Sequence, residues 1–178
     1  MKYRTIVADP PWEYEGFAHD IGGEKESHDR PLPYEGMALG NIAALPVDKW
    51  ADSHCRLFLW TTNRWLPLAF PLLTIWGFTY RQALVWKKRK HNIGGSVAPN
   101  SAEFLLVATR GRPSRDGFFP GAVLEAGSGE HSRKPDAFMD HIERISPAPR
   151  LELFARRQRL GWDTWGNEAL NHVELESA

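Results

Sequence analysis

Short apolar runs alternate with polar, glycine- and proline-rich stretches along all 178 residues. Ile6, Val7 and Ala8 rise out of Tyr3, Arg4 and Thr5 as a β-branched run that stops at Asp9, Pro10, Pro11 and Trp12. Neither proline can donate to a sheet ladder, so a buried strand ends there and delivers Asp9 to the sheet's carboxyl edge. Residues 13–37 show no helical or strand period and read as a long loop, a length that suits a lid or substrate-gripping segment. A short helix interrupted near Pro46 is expected within residues 41–50. Further buried strands are expected at residues 56–61, 81–86, 103–109 and 150–155.

Between these strands, Thr62 or Asn63 can cap a helix running to Trp76, with Pro67 tolerable in its first turn and Pro71 predicting a kink. Gly77 closes it. Pro135 is expected at the first position of a second helix, where Phe138, Ile142 and Ile145 fall on one face. Residues 87–92 read as a basic loop, residues 114–130 as irregular, and the acidic stretch from Ala169 as a frayed tail. The alternation of strands and helices argues for a single α/β domain over residues 1–178 with a mostly parallel sheet.

Composition removes several classes. With 42% hydrophobic and 25% charged residues the chain is ordinary globular material. Its single cysteine, Cys55, permits no internal disulfide, and seven scattered histidines show no zinc-ligand spacing, so no metal is expected. The first strand begins too early for a secretory signal, and no apolar run reaches membrane-spanning length, so a cytoplasmic protein without membrane association is expected. No Gly-x-Gly-x-x-Gly or Gly-Lys-Ser/Thr motif is present. The formal net charge is zero, so contact with nucleic acid would rest on local basic patches.

The residues at the first strand's end carry chemistry together. A nucleobase exocyclic amine is a poor nucleophile because its lone pair is delocalised into the ring. Acceptors for both amine hydrogens pull the nitrogen towards a tetrahedral, reactive geometry. The Asp9 carboxylate is one such acceptor and the Pro10 carbonyl, held rigid by Pro11, is another. Trp12 offers a face on which a flipped base can stack. The plainer reading is a strand-ending turn with an aromatic plug. The run of Lys87, Lys88, Arg89 and Lys90 suits phosphate contacts, against the ordinary reading of a solvated loop. Eight tryptophans exceed the needs of a core this size, leaving one or two as stacking platforms.

Ala8-Asp9-Pro10-Pro11-Trp12, Leu32-Pro33-Tyr34, Leu59-Trp60-Thr61-Thr62, Val85-Trp86-Lys87, Glu103-Phe104-Leu105-Leu106-Val107, Ser132-Arg133-Lys134-Pro135-Asp136, Glu152-Leu153-Phe154-Ala155-Arg156 and Trp165-Gly166-Asn167-Glu168 occur in this order. In that collinear set the chain resembles the MT-A70-like adenine N6-methyltransferases, over nearly its whole length. The resemblance implies a Rossmann-like methyltransferase fold in circularly permuted order, with the catalytic strand first and the cofactor strand late. It implies S-adenosylmethionine as methyl donor. It assigns Asp9, Pro10, Pro11 and Trp12 to catalysis, and Lys134 to the donor's carboxylate. Ser132, Phe154, Arg156, Asn167 and Glu168 belong with the donor, and Tyr34, Trp60, Trp86, Lys87, Lys88 and Glu103 with the substrate.

Two departures from the family pattern stand out. Larger members carry a strand and acidic loop before the catalytic strand that hold the donor's adenine, whereas eight residues precede Asp9 here. Pro99, Asn100, Ser101 and Ala102 also replace more basic residues before Glu103. The expected activity is transfer of a methyl group to N6 of adenine in nucleic acid, with DNA preferred and RNA the close alternative. A non-catalytic nucleic-acid-binding partner and a methyltransferase for a small amine are the rivals. A homo-oligomer or partner subunit stays open.

Overall fold

The computed structural model describes residues 1–13, 36–92, 97–127, 133–166 and 169–173, with the side chains of residues 90–92 outside that description. In chain order the elements are β1 (Tyr3–Ala8), α1 (Leu39–Ala43), α2 (Val47–Trp50), β2 (Ala51–Thr61), α3 (Leu66–Ile75), β3 (Thr79–Asn92), β4 (Asn100–Arg110), β5 (Val123–Ala126), α4 (Asp136–Ile145), β6 (Arg150–Leu153) and β7 (Asp163–Trp165). The strands join in one sheet ordered β5-β3-β4-β2-β1-β6-β7. β1 lies between β2 and β6 and is parallel to both. β6 is parallel to β7, and β3 to β5. Only β4 runs against its neighbours β2 and β3. The sheet is therefore mostly parallel, as the alternation predicts, and Rossmann-like, as the resemblance implies.

Strand alternation explains why both faces are buried. Ile6 and Ala8 of β1, with Leu57 and Leu59 of β2, face a core closed by Ile42, Trp50, Leu72 and Leu73 of the first three helices. Val7, Phe58 and Trp60 face the opposite core, closed by Phe138, Met139, Ile142 and Ile145 of α4. Burying each such side chain contributes roughly 1.5–3 kcal/mol, which is what holds β1 at the centre of the sheet.

Several expectations are corrected. Residues 87–92 are not a loop but the second half of β3, whose register with β4 continues through Lys87 opposite Ala102. A charge run remains a strand there because alternate side chains reach opposite faces. Residues 123–126, read as irregular, form edge strand β5, and the late chain supplies the short β7. The helix expected from Thr62 begins at Leu66, with Pro67 near its start and no side-chain cap, and it carries Pro71 inside it without ending. Pro135 stands as the N-cap of α4, in extended geometry, instead of its first helical residue. The interruption near Pro46 is found, with Pro46 preceding α2. Residues 14–35, which hold nearly all of the expected long loop, lie outside the described residues, as does the end of the acidic tail.

Candidate active site at the carboxyl edge of the sheet

The first strand stops where the prolines dictate. The Asp9 amide donates to the Leu153 carbonyl at 3.4 Å, tying the end of β1 to the end of β6. Beyond it the Trp12 amide donates to the Pro10 carbonyl at 2.9 Å, and the Met37 amide to the Pro11 carbonyl at 2.7 Å. The Asp9-Pro10-Pro11-Trp12 segment is thus held at both ends. A carbonyl oxygen has two lone pairs, so Pro10 retains one acceptor position after serving Trp12.

Four charged side chains meet here from four separate parts of the chain. Lys134, just before α4, places Nζ 2.9 Å from Asp9 Oδ1 and 3.1 Å from Glu103 Oε2. Lys88 Nζ lies 2.6 Å from Glu103 Oε1. The result is an alternating chain, Asp9–Lys134–Glu103–Lys88, whose side chains are only 8–26% exposed. Burial raises the Glu103 pKa, but Lys134 and Lys88 outweigh it and hold the carboxyl below its ordinary range. Burial likewise works against the Lys134 ammonium, and the charges of Asp9 and Glu103 more than offset it, so its pKa is raised. Glu103 Oε2 is buried against the Lys134 ammonium.

Beneath the charges lies an aromatic floor. Lys134 Nζ sits 5.5 Å from the Trp60 ring centre and Lys88 Nζ 5.1 Å from that of Trp86. The two indoles meet edge to face at 6.3 Å, and the Trp86 indole N–H donates to the Ala126 carbonyl at 3.0 Å.

The neighbouring strand end supplies a second set. Glu152 stands between Leu151 and Leu153 on β6, opposite Val7 of β1. Burial first, and the Asp9 charge second, push its carboxyl up to about 7, against the pull of Arg157 and Arg159. Phe154 follows with φ of 62°, a left-handed conformation that non-glycine residues rarely adopt. Its ring packs edge to face on Trp165, 5.4 Å between centres. The Ala155 amide donates to the Trp165 carbonyl at 3.0 Å. The backbones approach so closely that a Cβ on Gly166 would lie 2.4 Å from the Ala155 carbonyl oxygen. Arg156, partly buried, continues along this edge. Arg157 and Arg159 pair with Asp136 at the start of α4, and Arg159 also with Asp140 and Glu143, pinning the segment after β6 to that helix.

Of the residues singled out from sequence, Asp9, Pro10, Pro11, Lys88, Glu103 and Lys134 come together above Trp60 and Trp86, with Phe154 and Arg156 on the adjoining edge. Lys87 does not join them. It points to the opposite side of β3 and pairs with Glu125 at 2.9 Å, where Arg89 also reaches. Trp12 does not stand as an open platform. It is 5% exposed and stacks on Trp65, with 5.7 Å between centres and 13° between planes. Trp50, Trp60, Trp65, Trp76, Trp86 and Trp162 are likewise buried, and Trp165 is partly buried. Tyr34, Ser132, Asn167 and Glu168 lie outside the described residues. Glu152 has no role of its own from sequence; it lies between two buried leucines on β6, with its own side chain partly buried. Among the described residues no group of histidine, cysteine or acidic side chains is arranged to hold a metal, and no helix is long and apolar enough to cross a membrane.

Comparison with known proteins agrees with this arrangement. The MT-A70 family model matches residues 3–168. The Type II methyltransferase M.MunI of Mycoplasma sp is 36% identical over 190 residues, spanning 98% of this chain and 81% of that protein. A probable N(6)-adenosine-methyltransferase MT-A70-like protein of Oryza sativa subsp. japonica is 34% identical, over 98% of this chain and 24% of that protein. The N(6)-adenosine-methyltransferase catalytic subunit METTL3 of Homo sapiens is 31% identical, over 94% of this chain and 28% of that protein. The chain thus spans most of the Mycoplasma relative and about a quarter of the two eukaryotic ones. A match running from the first residue of β1 to beyond β7 takes in every strand and every charged group of the site, and the chain belongs to the MT-A70 family.

Proposed function

We propose that this protein transfers a methyl group from S-adenosylmethionine to N6 of adenine in DNA. As a member of the MT-A70 family it is an adenine-specific N6-methyltransferase. The observation that carries the reading is the buried Asp9–Lys134–Glu103–Lys88 chain standing over two indoles at the carboxyl edge of the central strand.

The residues suit the donor. S-adenosylmethionine carries an ammonium, a sulfonium and a carboxylate. Glu152 is a partly buried carboxyl pushed up to about 7 by burial and the Asp9 charge, and Lys134 is a protonated ammonium held by that same Asp9. Lys134 has three N–H donors, of which Asp9 and Glu103 engage two, leaving the third for the donor's carboxylate. The narrow backbone approach at Ala155 and Gly166, with the Phe154 ring, forms the apolar side of that cradle. When bound, the donor supplies an electrophilic methyl group on positively charged sulfur.

The chain's own residues prepare the amine. Asp9 accepts one N6 hydrogen and the second lone pair of the Pro10 carbonyl accepts the other, drawing the nitrogen out of conjugation. Lys134 fixes the Asp9 carboxylate in place, and Glu103 fixes Lys134. Lys88 neutralises Glu103, so the chain remains ordered in a poorly solvated site. A target base in duplex DNA must leave the stack, at a cost of a few kcal/mol that is smallest for a single strand. The DNA preference rests on M.MunI, the relative matched over most of its own length, against eukaryotic proteins of which this chain matches a quarter.

The test offers tritiated S-adenosylmethionine with duplex DNA, single-stranded DNA and RNA in parallel, followed by nucleoside digestion. Label is expected in N6-methyladenine from DNA, and is expected to vanish in Asp9→Ala. Label only in RNA would replace the DNA reading with the RNA one. Donor binding without label in any nucleic acid would overturn the substrate class, and no donor binding would overturn the enzyme reading.

A further inference from the structure

At the opposite, amino-terminal end of the sheet a cavity of about 420 Å³ opens between β2, β3 and β4, the C-terminal turn of α4 and the segment before β5. Arg56 stands five residues before the end of β2, so its end of the cavity lies roughly 15–20 Å from the catalytic edge, while Phe58 and Leu84 line the wall two residues short of Trp60 and Trp86. Its volume is within the range of small-molecule sites, roughly 300–1,000 Å³. Phe58, Phe118 and Phe119 give it aromatic walls, and among the described residues Arg56, Arg81 and Arg115 line it with three cations and no carboxylate.

Arg56 is the unusual member, 7% exposed with a guanidinium that has no ion-pair partner among the described residues. It donates instead to neutral acceptors, to the Ile145 carbonyl at 3.1 Å, Ser146 Oγ at 2.8 Å and the Ser114 carbonyl at 3.2 Å. Burial first and the neighbouring Arg115 charge second lower its pKa, against the pull of Cys55 and Asp116. A buried cation without a counterion is costly, and a second cation at the same rim adds to that cost. At the exposed mouth the Arg115 guanidinium carbon lies 3.7 Å from the Phe118 ring centre, and Arg81 donates to Thr109 Oγ1 at 2.7 Å. An anion in the cavity would relieve Arg56, and a flat apolar body would fill the space between the phenylalanines.

We propose that this cavity is a second ligand site, separate from the methyl-transfer site, for a small anion with a flat aromatic body. Arg56 meets the anionic group from the buried side, and Arg81 and Arg115 meet it from the rim.

The probe is 2-naphthoate, with neutral 2-naphthalenemethanol as its uncharged counterpart, both titrated calorimetrically. Naphthoate is expected to bind at least tenfold more tightly than the alcohol and to be unaffected by saturating S-adenosylhomocysteine. Arg81→Gln/Arg115→Gln is expected to weaken it about tenfold without altering methyl transfer. Gly121→Leu closes the cavity from its wall: a Cβ there meets only the Val123 carbonyl oxygen, at 3.7 Å. It is expected to abolish binding. Naphthoate that does not bind, binds no better than the alcohol, is displaced by S-adenosylhomocysteine, or binds both variants as it does the wild type would overturn the proposal.

Discussion

Replacing Glu152 by glutamine should make the protein more stable, and increasingly so as pH rises. Glu152 sits on β6 between two buried leucines, and its carboxyl is pushed from an ordinary 4.5 up to about 7 by burial and the nearby Asp9 charge. Between those values the folded protein holds a proton that the unfolded chain has released, so stability falls as pH climbs through the window. Above pH 7 the folded state carries the buried charge and the loss is complete. At 1.36 kcal/mol per unit the full cost is about 3 kcal/mol, of which about 2.5 kcal/mol accrues between pH 5 and pH 8. Glutamine keeps the shape of the protonated acid and cannot ionise. Urea unfolding of both proteins at pH 5 and pH 8 isolates the effect, because every other titrating group is shared and cancels in the difference. The variant should match the wild type to within about 1 kcal/mol at pH 5 and exceed it by about 3 kcal/mol at pH 8. An advantage that is equal at the two pH values would refute the reasoning. So would one that shrinks as pH rises. Asp9→Asn removes the second cause of the shift and should reduce the wild type's pH dependence.

Lys134→Met leaves Asp9 and Glu103 without their shared cation and should cost about 3 kcal/mol in urea unfolding, with less lost when Glu103→Gln is added. A single variant as stable as the wild type would mean the ion pairs are incidental. Phe154→Gly should be more stable than Phe154→Ala by about 1 kcal/mol, because both lose the ring on Trp165 while only glycine relieves the left-handed backbone. Thermal unfolding of the pair decides it, and a more stable alanine variant would contradict the strain. Binding of S-adenosylmethionine at pH 6.5 should release up to about three quarters of a proton, the fraction held by a group with pKa near 7. Calorimetry in buffers of different ionisation enthalpy measures it, and equal release from Glu152→Gln would assign the proton elsewhere.

The sheet was legible because its signals are local. Apolar β-branched runs bounded by prolines and glycines mark β1, β2 and the centres of β3 and β4, whichever strands they pair with. What was not legible depends on pairing. Lys87, Lys88 and Arg89 read as a solvated loop because charge is the only local cue. Register with β4 then continues the strand and sends Lys88 into the site and Lys87 out of it. Short strands such as Asp163–Trp165 hold their place through β6 and have little pattern of their own. Trp12 shows the same limit in the site, since a sequence can present an indole but not the Trp65 ring that covers it.

The two buried carboxyls of the site, Glu103 and Glu152, explain each other by contrast. Glu103 lies between Lys134 and Lys88, and its pKa is lowered despite deep burial. Glu152 is buried too, but the lysine nearest the edge is committed to Asp9 and Glu103, and no ion pair reaches it among the described residues. Its pKa is raised instead. The difference lies in where cations stand, since both acids are poorly solvated. A protein built only for stability would not place an unpaired acid between Leu151 and Leu153, on a face of the strand that is already partly buried. The acid is retained at a site whose proposed ligand brings its own positive charge, and whose carboxylate has Lys134 to meet it. The same logic runs through the alternating chain: each charge is held by its neighbour, and the acceptor positions left over, on Asp9 and the Pro10 carbonyl, lie at the carboxyl edge where an amine must be gripped.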